Sequence, residues 1–456
     1  MTTPDVREIA AQAIRAASGD EADVLVLAER SGLARFASSE IHQPTLIENC
    51  VVTLRIVREG KIGAASTNRL DADGLRSLAE RARAAADSAV AEESFPGLPE
   101  AGPLPEVHGW DDAVAAIEPE EQAQLARAAI DASPSVELYG FFTSGVTEIA
   151  VASSTGLEAD QRATDATTLV VAAGEGASGY ATQTTWSRTG IDPAAVGREA
   201  AEKAERTRDA KTVEPAPYRA VLEPYALADL VNYFSFDSFG ANGLLEERSY
   251  LAGRIGKRIV DDKVTIADDA LDPRNLPKRF DFEGVAKQRV PLIEDGVARG
   301  VVWDRTSAAR AGEGHATTGH APPHVYRQWG PLAFALSVAG GEAESLDELC
   351  ELVGDGIYIT RLHYLGVVDP REGVITGMTR DGTFRIRDGK VAEPLVNLRF
   401  TVSVPQMLED VPGLSRETKL VNTSDFYGER YPTGVLAPAI ATARFNITGV
   451  GSGPGL

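Results

Sequence analysis

Tyr225-Ala226-Leu227-Ala228-Asp229-Leu230-Val231-Asn232-Tyr233-Phe234-Ser235-Phe236-Asp237 reads as a helix, and it interrupts a half-chain that otherwise reads as strand. Upstream of it, the proline-bearing stretch Thr212 to Pro217 marks a change of texture. Downstream come short apolar runs joined by Asp-Gly pairs at Asp295-Gly296, Asp381-Gly382 and Asp388-Gly389. Such pairs favour tight hairpin turns. Ser345 to Leu352 is the second helical candidate of this region, and its acidic run Glu342, Glu344, Asp347, Glu348 and Glu351 suits the positive end of a helix dipole. Residues 218–456 are therefore expected to form a mainly β C-terminal domain.

The N-terminal half has a different pattern. Val6, Ile9, Ala10, Ala13, Ile14 and Ala17 follow helical spacing up to Gly19. Val24 to Ala28, Leu33 to Ala37, Val51 to Val57 and Ile62 to Ser66 read as strands, with a turn at Arg58 to Lys61. Asp71 can cap a second helix bearing Leu75, Leu78, Ala79, Ala82 and Ala86. This unit, 1–91, gives way to a linker over 92–112 that contains Pro96, Pro99, Pro103 and Pro105. A middle unit, 113–211, repeats the outline: a helix from Pro119 to Ala132, strands at Leu138 to Phe142, Thr147 to Ala152 and Thr168 to Ala173, and a helix from Pro193 to Arg206. The fold class is thus α+β, with helix-flanked N-terminal α/β units followed by a mainly β C-terminal domain.

At 456 residues the chain exceeds the roughly 250 to 300 at which one core stops growing, so several domains are expected. Asp5 and Glu8 interrupt the first residues where a secretion signal needs an apolar run, and no apolar run is long enough to span a bilayer. With Cys50 and Cys350 as the two cysteines, a disulfide framework is excluded and a cytoplasmic location is expected. A net charge of −22 without a basic stripe argues against direct nucleic-acid binding.

Several phrases of the C-terminal half resemble the TldD/PmbA family, also called modulators of gyrase. They are Ser249-Tyr250-Leu251-Ala252-Gly253-Arg254-Ile255-Gly256, Thr318-Gly319-His320-Ala321, Leu362-His363-Tyr364-Leu365-Gly366, Ile386 to Val391, and Ala437-Pro438 to Asn446-Ile447-Thr448. The Thr-Gly-x-Ala and Leu-His-Tyr-x-Gly phrases resemble the PmbA (TldE) branch. In the TldD branch the resemblance implies a His-Glu-x-x-x-His helix that supplies two zinc ligands and a general base. Here Asn232 and Asp237 stand at the histidine positions and Tyr233 at the glutamate position. The late Cys-Gly phrase that completes the metal site in that branch is matched by Tyr427-Gly428, and no cysteine follows Cys350. An amide, a phenol and a single carboxylate cannot hold zinc.

The resemblance therefore implies a metal-free, TldE-like subunit of a heterodimeric peptidase for small or unfolded peptides. A TldD-like partner would carry the zinc, and this chain would complete the substrate chamber, with no catalytic residue and no cofactor of its own. A sheet edge of the β-rich domain would take an extended peptide as an added strand. Gly319, His320, His363 and Tyr364 are the candidate substrate contacts. Two alternatives stand beside this reading. One is a homodimeric peptide-binding protein without catalysis. The other is an independent metal hydrolase using His315, His320 and His324, although Pro322-Pro323 prevents a helix from placing these on one face. Gly174 to Gly179 lacks the Gly-Lys-Ser/Thr ending of a phosphate loop, and the chain has no Gly-x-Ser-x-Gly elbow.

Overall fold

A computed structural model describes residues 5–133, 135–424 and 429–451. The first unit runs α1 (Val6–Ala16), β1 (Glu21–Ala37), β2 (Glu40–Arg58), β3 (Lys61–Thr67) and α2 (Ala72–Ser88). After a short α3 (Asp112–Ala115), the second runs α4 (Pro119–Asp131), β4 (Glu137–Ser153), β5 (Glu158–Gly174), β6 (Ala177–Thr185) and α5 (Pro193–Arg206). The order of helix, three strands and helix thus occurs twice. Local chemistry sets the helix starts: Asp5 accepts from the N–H of Arg7 at 3.0 Å, Asp71 from Gly74 at 2.6 Å and Asp192 from Ala195 at 3.0 Å. Each helix then buries its apolar stripe, Leu75, Leu78, Ala79, Ala82 and Ala86 in α2.

All six strands join in one antiparallel sheet of order β3-β2-β1-β4-β5-β6. Pairing of β1 with β4, from Asp23↔Ser153 to Phe36↔Gly140, fuses the two units. The sequence pattern splits β1 into two strands at Ser31-Gly32, but the backbone runs on because these residues pair with Ile47 and Leu46 on one side and Gly145 and Ser144 on the other. A Cβ at position 32 would lie 2.0 Å from Oε1 of Gln122, so a larger residue there would displace that buried side chain. The stretch Gly174 to Gly179 holds a turn at Gly176 and then the start of β6, a strand the sequence pattern misses.

The C-terminal half begins with β7 (Pro217–Leu222), α6 (Pro224–Ser238) and α7 (Ala241–Leu245). There follow β8 (Ile266–Asp268), β9 (Val290–Glu294), β10 (Val297–Ala298), α8 (Arg305–Ala311), β11 (Leu336–Val338) and α9 (Leu346–Val353). The last third is β12 (Gly356–Asp369), β13 (Val374–Arg387), β14 (Lys390–Leu395), β15 (Leu398–Ser403), α10 (Val404–Met407), β16 (Gly413–Asn422) and β17 (Gly434–Val450). These strands form one eleven-stranded sheet, in which β7 pairs with both β12 and β17. Strands β17, β15, β13, β12 and β7 therefore close a ring. Helix α6 packs against β7, β12, β13, β16 and β17, burying Ala226, Leu227, Leu230, Val231 and Phe234. Apolar residues all round fit a helix enclosed by other elements.

Two of the three Asp-Gly pairs close hairpins, β9 to β10 at Asp295-Gly296 and β13 to β14 at Asp388-Gly389. The third makes no turn. Asp381-Gly382 lies within β13, both residues at positive φ, where the register with β12 shifts. Such a bulge re-aims a side chain, and Asp381 is turned onto Arg361.

One buried ionic network ties the middle unit to the C-terminal ring. Glu223, the residue before α6, is 4% exposed. Its Oε1 accepts from the Tyr358 hydroxyl at 2.6 Å and its Oε2 from Lys203 Nζ, on α5, at 2.7 Å. Lys203→Met leaves a buried carboxylate without its cation and is expected to cost about 3–5 kcal/mol. Urea denaturation of the full chain measures it; a cost below about 1 kcal/mol would show that the network is not the tie described.

Candidate functional site

Helical spacing places Tyr225, Asp229 and Tyr233 on one stripe of α6. That stripe forms one wall of a cavity of ≈ 440 Å³. The opposite wall is Arg361 to Leu365 of β12; Tyr180 of β6 and Val421 and Asn422 of β16 close the sides. Tyr180 meets Tyr225 edge-on at 5.3 Å, and the Arg361 guanidinium lies 4.0 Å over the Tyr180 ring while its Nε donates to Asp381 at 2.7 Å. Behind the wall, the Tyr225 hydroxyl is held by Lys419 and lies 3.0 Å from Glu199.

Among the described residues, Asp229 is the one acidic side chain on this cavity's wall. Burial pushes its carboxyl up to about 7, partly offset by the nearby Arg361 charge and the Leu362 backbone N–H. His363 is half-buried; burial, then the charges of Arg380 and Arg361, hold its imidazole below the usual value, so it is neutral at neutral pH. Its ring stacks 4.1 Å from that of Tyr364, which is 78% exposed at φ 51 in the irregular part of β12.

The structure thus brings together three residues that the sequence singled out, Tyr233, His363 and Tyr364. It does not bring the others. Asn232 is half-buried on α6 off the cavity wall, and Asp237 is engaged by Arg248 Nη1 at 3.1 Å. Tyr427 lies outside the described residues. His320, expected to touch substrate, has a side chain of 0% exposure and serves the core instead. Its Nε2 lies 2.9 Å from Asp268 and its Nδ1 2.9 Å from the Thr318 hydroxyl, and burial with the charge of Lys287 keeps it neutral. Gly319 is likewise buried, with φ 74, where a Cβ would lie 2.2 Å from the Ala286 carbonyl oxygen.

The three clustered histidines diverge in space. His315 stacks on Trp303 at 4.8 Å, His320 is enclosed with Asp268, and His324 lines a separate cleft with Asp23, Arg55 and Glu283. Among the described residues no three His, Cys, Asp or Glu side chains group as a metal set. Asn232, Tyr233 and Asp237 do not suit zinc either, offering an amide, a phenol and a carboxylate already held by arginine. Sequence reasoning missed Asp229, Arg361, Tyr180 and Tyr225. The i, i+4, i+8 spacing of Tyr225, Asp229 and Tyr233 was the available signal; Tyr180 and Arg361 become neighbours only through the tertiary fold.

The chain thus combines a doubled α/β unit with a C-terminal strand ring that encloses one helix. Models of the PmbA/TldA metallopeptidase match domain 1 at residues 22–86, the central domain at 112–208 and the C-terminal domain at 215–449. The chain belongs to the PmbA/TldD metallopeptidase family. A metalloprotease of Methanothermobacter thermautotrophicus is 27% identical over 54% of this chain and 53% of its own. A zinc metalloprotease TldD homolog of Saccharolobus solfataricus is 26% identical over 45% of each chain. The chain thus aligns with about half the length of these curated relatives. TldE from Thermococcus kodakarensis superposes with a TM-score of 0.85 at 20% identity, over 97% of this chain and 100% of that one.

The raised carboxyl of Asp229 has a consequence for stability. A carboxyl whose folded value lies above the unfolded one stabilises the fold below about pH 4, and that contribution is lost as pH rises toward about 7. Asp229→Asn is therefore expected to match the native chain near pH 4 and to exceed its stability by about 4 kcal/mol at pH 8. Denaturant titrations at both pH values measure the difference; equal stabilities at pH 8 would contradict an uncompensated buried carboxylate.

Proposed function

We propose that this chain is the metal-free, TldE-like subunit of a two-chain zinc peptidase, completing the substrate chamber while a TldD-like partner activates water. The observation that carries the reading is the pairing, on one cavity, of Tyr233 at the family's general-base position with an open strand edge. Strand β7 pairs with β12 only at Ile357, Tyr358 and Ile359. Beyond Ile359 that edge of β12 has no strand partner among the described residues, and the Leu362 N–H on it points at Asp229 on the cavity wall. An extended peptide can add there through main-chain hydrogen bonds, with little demand on its sequence. Asn232, Tyr233 and Asp237 offer no zinc-binding set, so the hydrolytic step falls to the partner. The likeness to TldE in fold supports this branch.

Buried, free Cys50 and Cys350 agree with a reducing, cytoplasmic setting. Among the described residues no helix is long and apolar enough to cross a membrane. A second reading, a homodimer that captures peptides without cutting them, uses the same open edge and differs in needing no partner.

Co-expression with the TldD-like protein of the same genome, purification through a tag on this chain, and assay of zinc and peptide cleavage separate the two. The proposal expects a co-purifying pair with about one zinc. It also expects zinc and cleavage to vanish when the partner's motif histidines are replaced, and cleavage to persist when Asp237 of this chain becomes alanine. A chain that forms no complex and leaves the partner's activity unchanged would overturn it.

A further inference from the structure

The cavity beside the β12 edge has a chemical bias. Asp229 forms no salt bridge among the described residues, and its polar neighbour is the Leu362 backbone N–H. Arg361, the nearest cation, is committed to Asp381 and to the face of Tyr180. The carboxylate therefore stands in the wall without a salt-bridge partner, its charge only partly offset by Arg361 and the Leu362 N–H, an arrangement whose cost a cationic ligand would relieve. The rest of the wall suits such a ligand. Leu362, Leu365 and Val421 supply apolar surface for an alkyl chain, and Tyr233 and Tyr364 supply rings. The inner rings already seat cations of the chain itself: Arg361 over Tyr180 at 4.0 Å, and Lys419 and Lys203 over Tyr225 at 4.5 and 5.0 Å. Tyr233 and Tyr364 carry no such resident cation among the described residues.

We propose that Asp229 is a specificity-determining residue, and that the cavity takes an alkylammonium group of a peptide lying along β12, from a lysine side chain or a free amino end. The inference rests on the peptide-binding reading above and adds a substrate class to it. A main chain paired on the edge near Leu362 delivers one side chain, or its own terminus, toward Asp229. The groups facing Asp229 are Arg361 and His363 from β12, Tyr180 from β6, and Tyr225 and Tyr233 from α6, with Lys419 behind Tyr225. Arg361 and, from β13, Arg380 share Asp381, and His363 is held neutral, so Asp229 is the acidic group that the described wall offers a cation. The raised carboxyl is consistent with this, since pairing with a cation would draw it down and release a proton on binding.

Calorimetric titration of the full chain with blocked hexapeptides differing at one central position, lysine or norleucine, tests the proposal. At pH 8 the lysine peptide is expected to bind about tenfold more tightly than the norleucine peptide. Asp229→Asn is expected to abolish that preference. A norleucine peptide with a free amino end separates the two sources: matching the lysine peptide identifies the terminus as the preferred cation, and matching its blocked form identifies the side chain. Equal affinities for lysine and norleucine, or a preference that survives Asp229→Asn, would overturn the proposal while leaving peptide binding intact. Failure of every peptide to bind would instead overturn the peptide-binding reading and this inference with it. The native chain gives an independent check: its lysine preference should shrink several-fold between pH 8 and pH 6, as about nine-tenths of Asp229 becomes protonated. A preference unchanged over that range would contradict it.

Discussion

Glu223 joins three elements at one buried point: α5, α6 and β12. Its carboxylate, buried at the start of α6, receives Lys203 from the middle unit and Tyr358 from the strand ring. A buried carboxylate is costly unless every oxygen has a partner, and here both do. The consequence is positional: the start of α6 is fixed against α5 and β12, and the Tyr225, Asp229 and Tyr233 stripe lines the cavity opposite β12. Tyr225 extends the same network through Lys419 and Glu199, so the cavity's inner wall is anchored from two strands and a helix of different units.

Set against that rigid frame, the cavity opposes two kinds of wall. One is side chains on a packed helix; the other is backbone on a partly unpaired strand. The first can select, because Asp229 and the tyrosines have fixed places. The second can hold almost any extended chain, because main-chain hydrogen bonds are common to all sequences. Asn232, Tyr233 and Asp237, the last engaged by Arg248, lie on the same helix and supply an amide, a phenol and one carboxylate, a donor set that does not suit zinc.

Much of the architecture was legible in the sequence because it depends on local signals. The α5 helix follows from Asp192, Pro193 and its alanine stripe, and the turns at Asp295-Gly296 and Asp388-Gly389 from residues that tolerate positive φ. What failed were features decided by distant partners. Strand β1 reads as two pieces because Ser31 and Gly32 break the apolar pattern, yet flanking strands hold it straight. Asp381-Gly382 has the composition of a turn and became a bulge because β12 and β13 continue past it. His320 sits in a glycine-rich loop phrase that looks exposed, and its burial depends on Asp268 arriving from β8, 52 residues away in the chain. Of the site, Tyr233, His363 and Tyr364 were visible through family resemblance; Asp229 and Arg361 gained meaning only when the fold set them across one cavity.

The account's central claim is that peptide enters along the open edge of β12, beside α6. Hydrogen exchange of the full chain, with and without a saturating peptide, tests it most directly. The claim predicts slowed exchange at backbone amides of residues 361–369, with residues 312–324 unchanged. Protection confined to the histidine-bearing loop at 312–324, with the β12 edge unaffected, would contradict it.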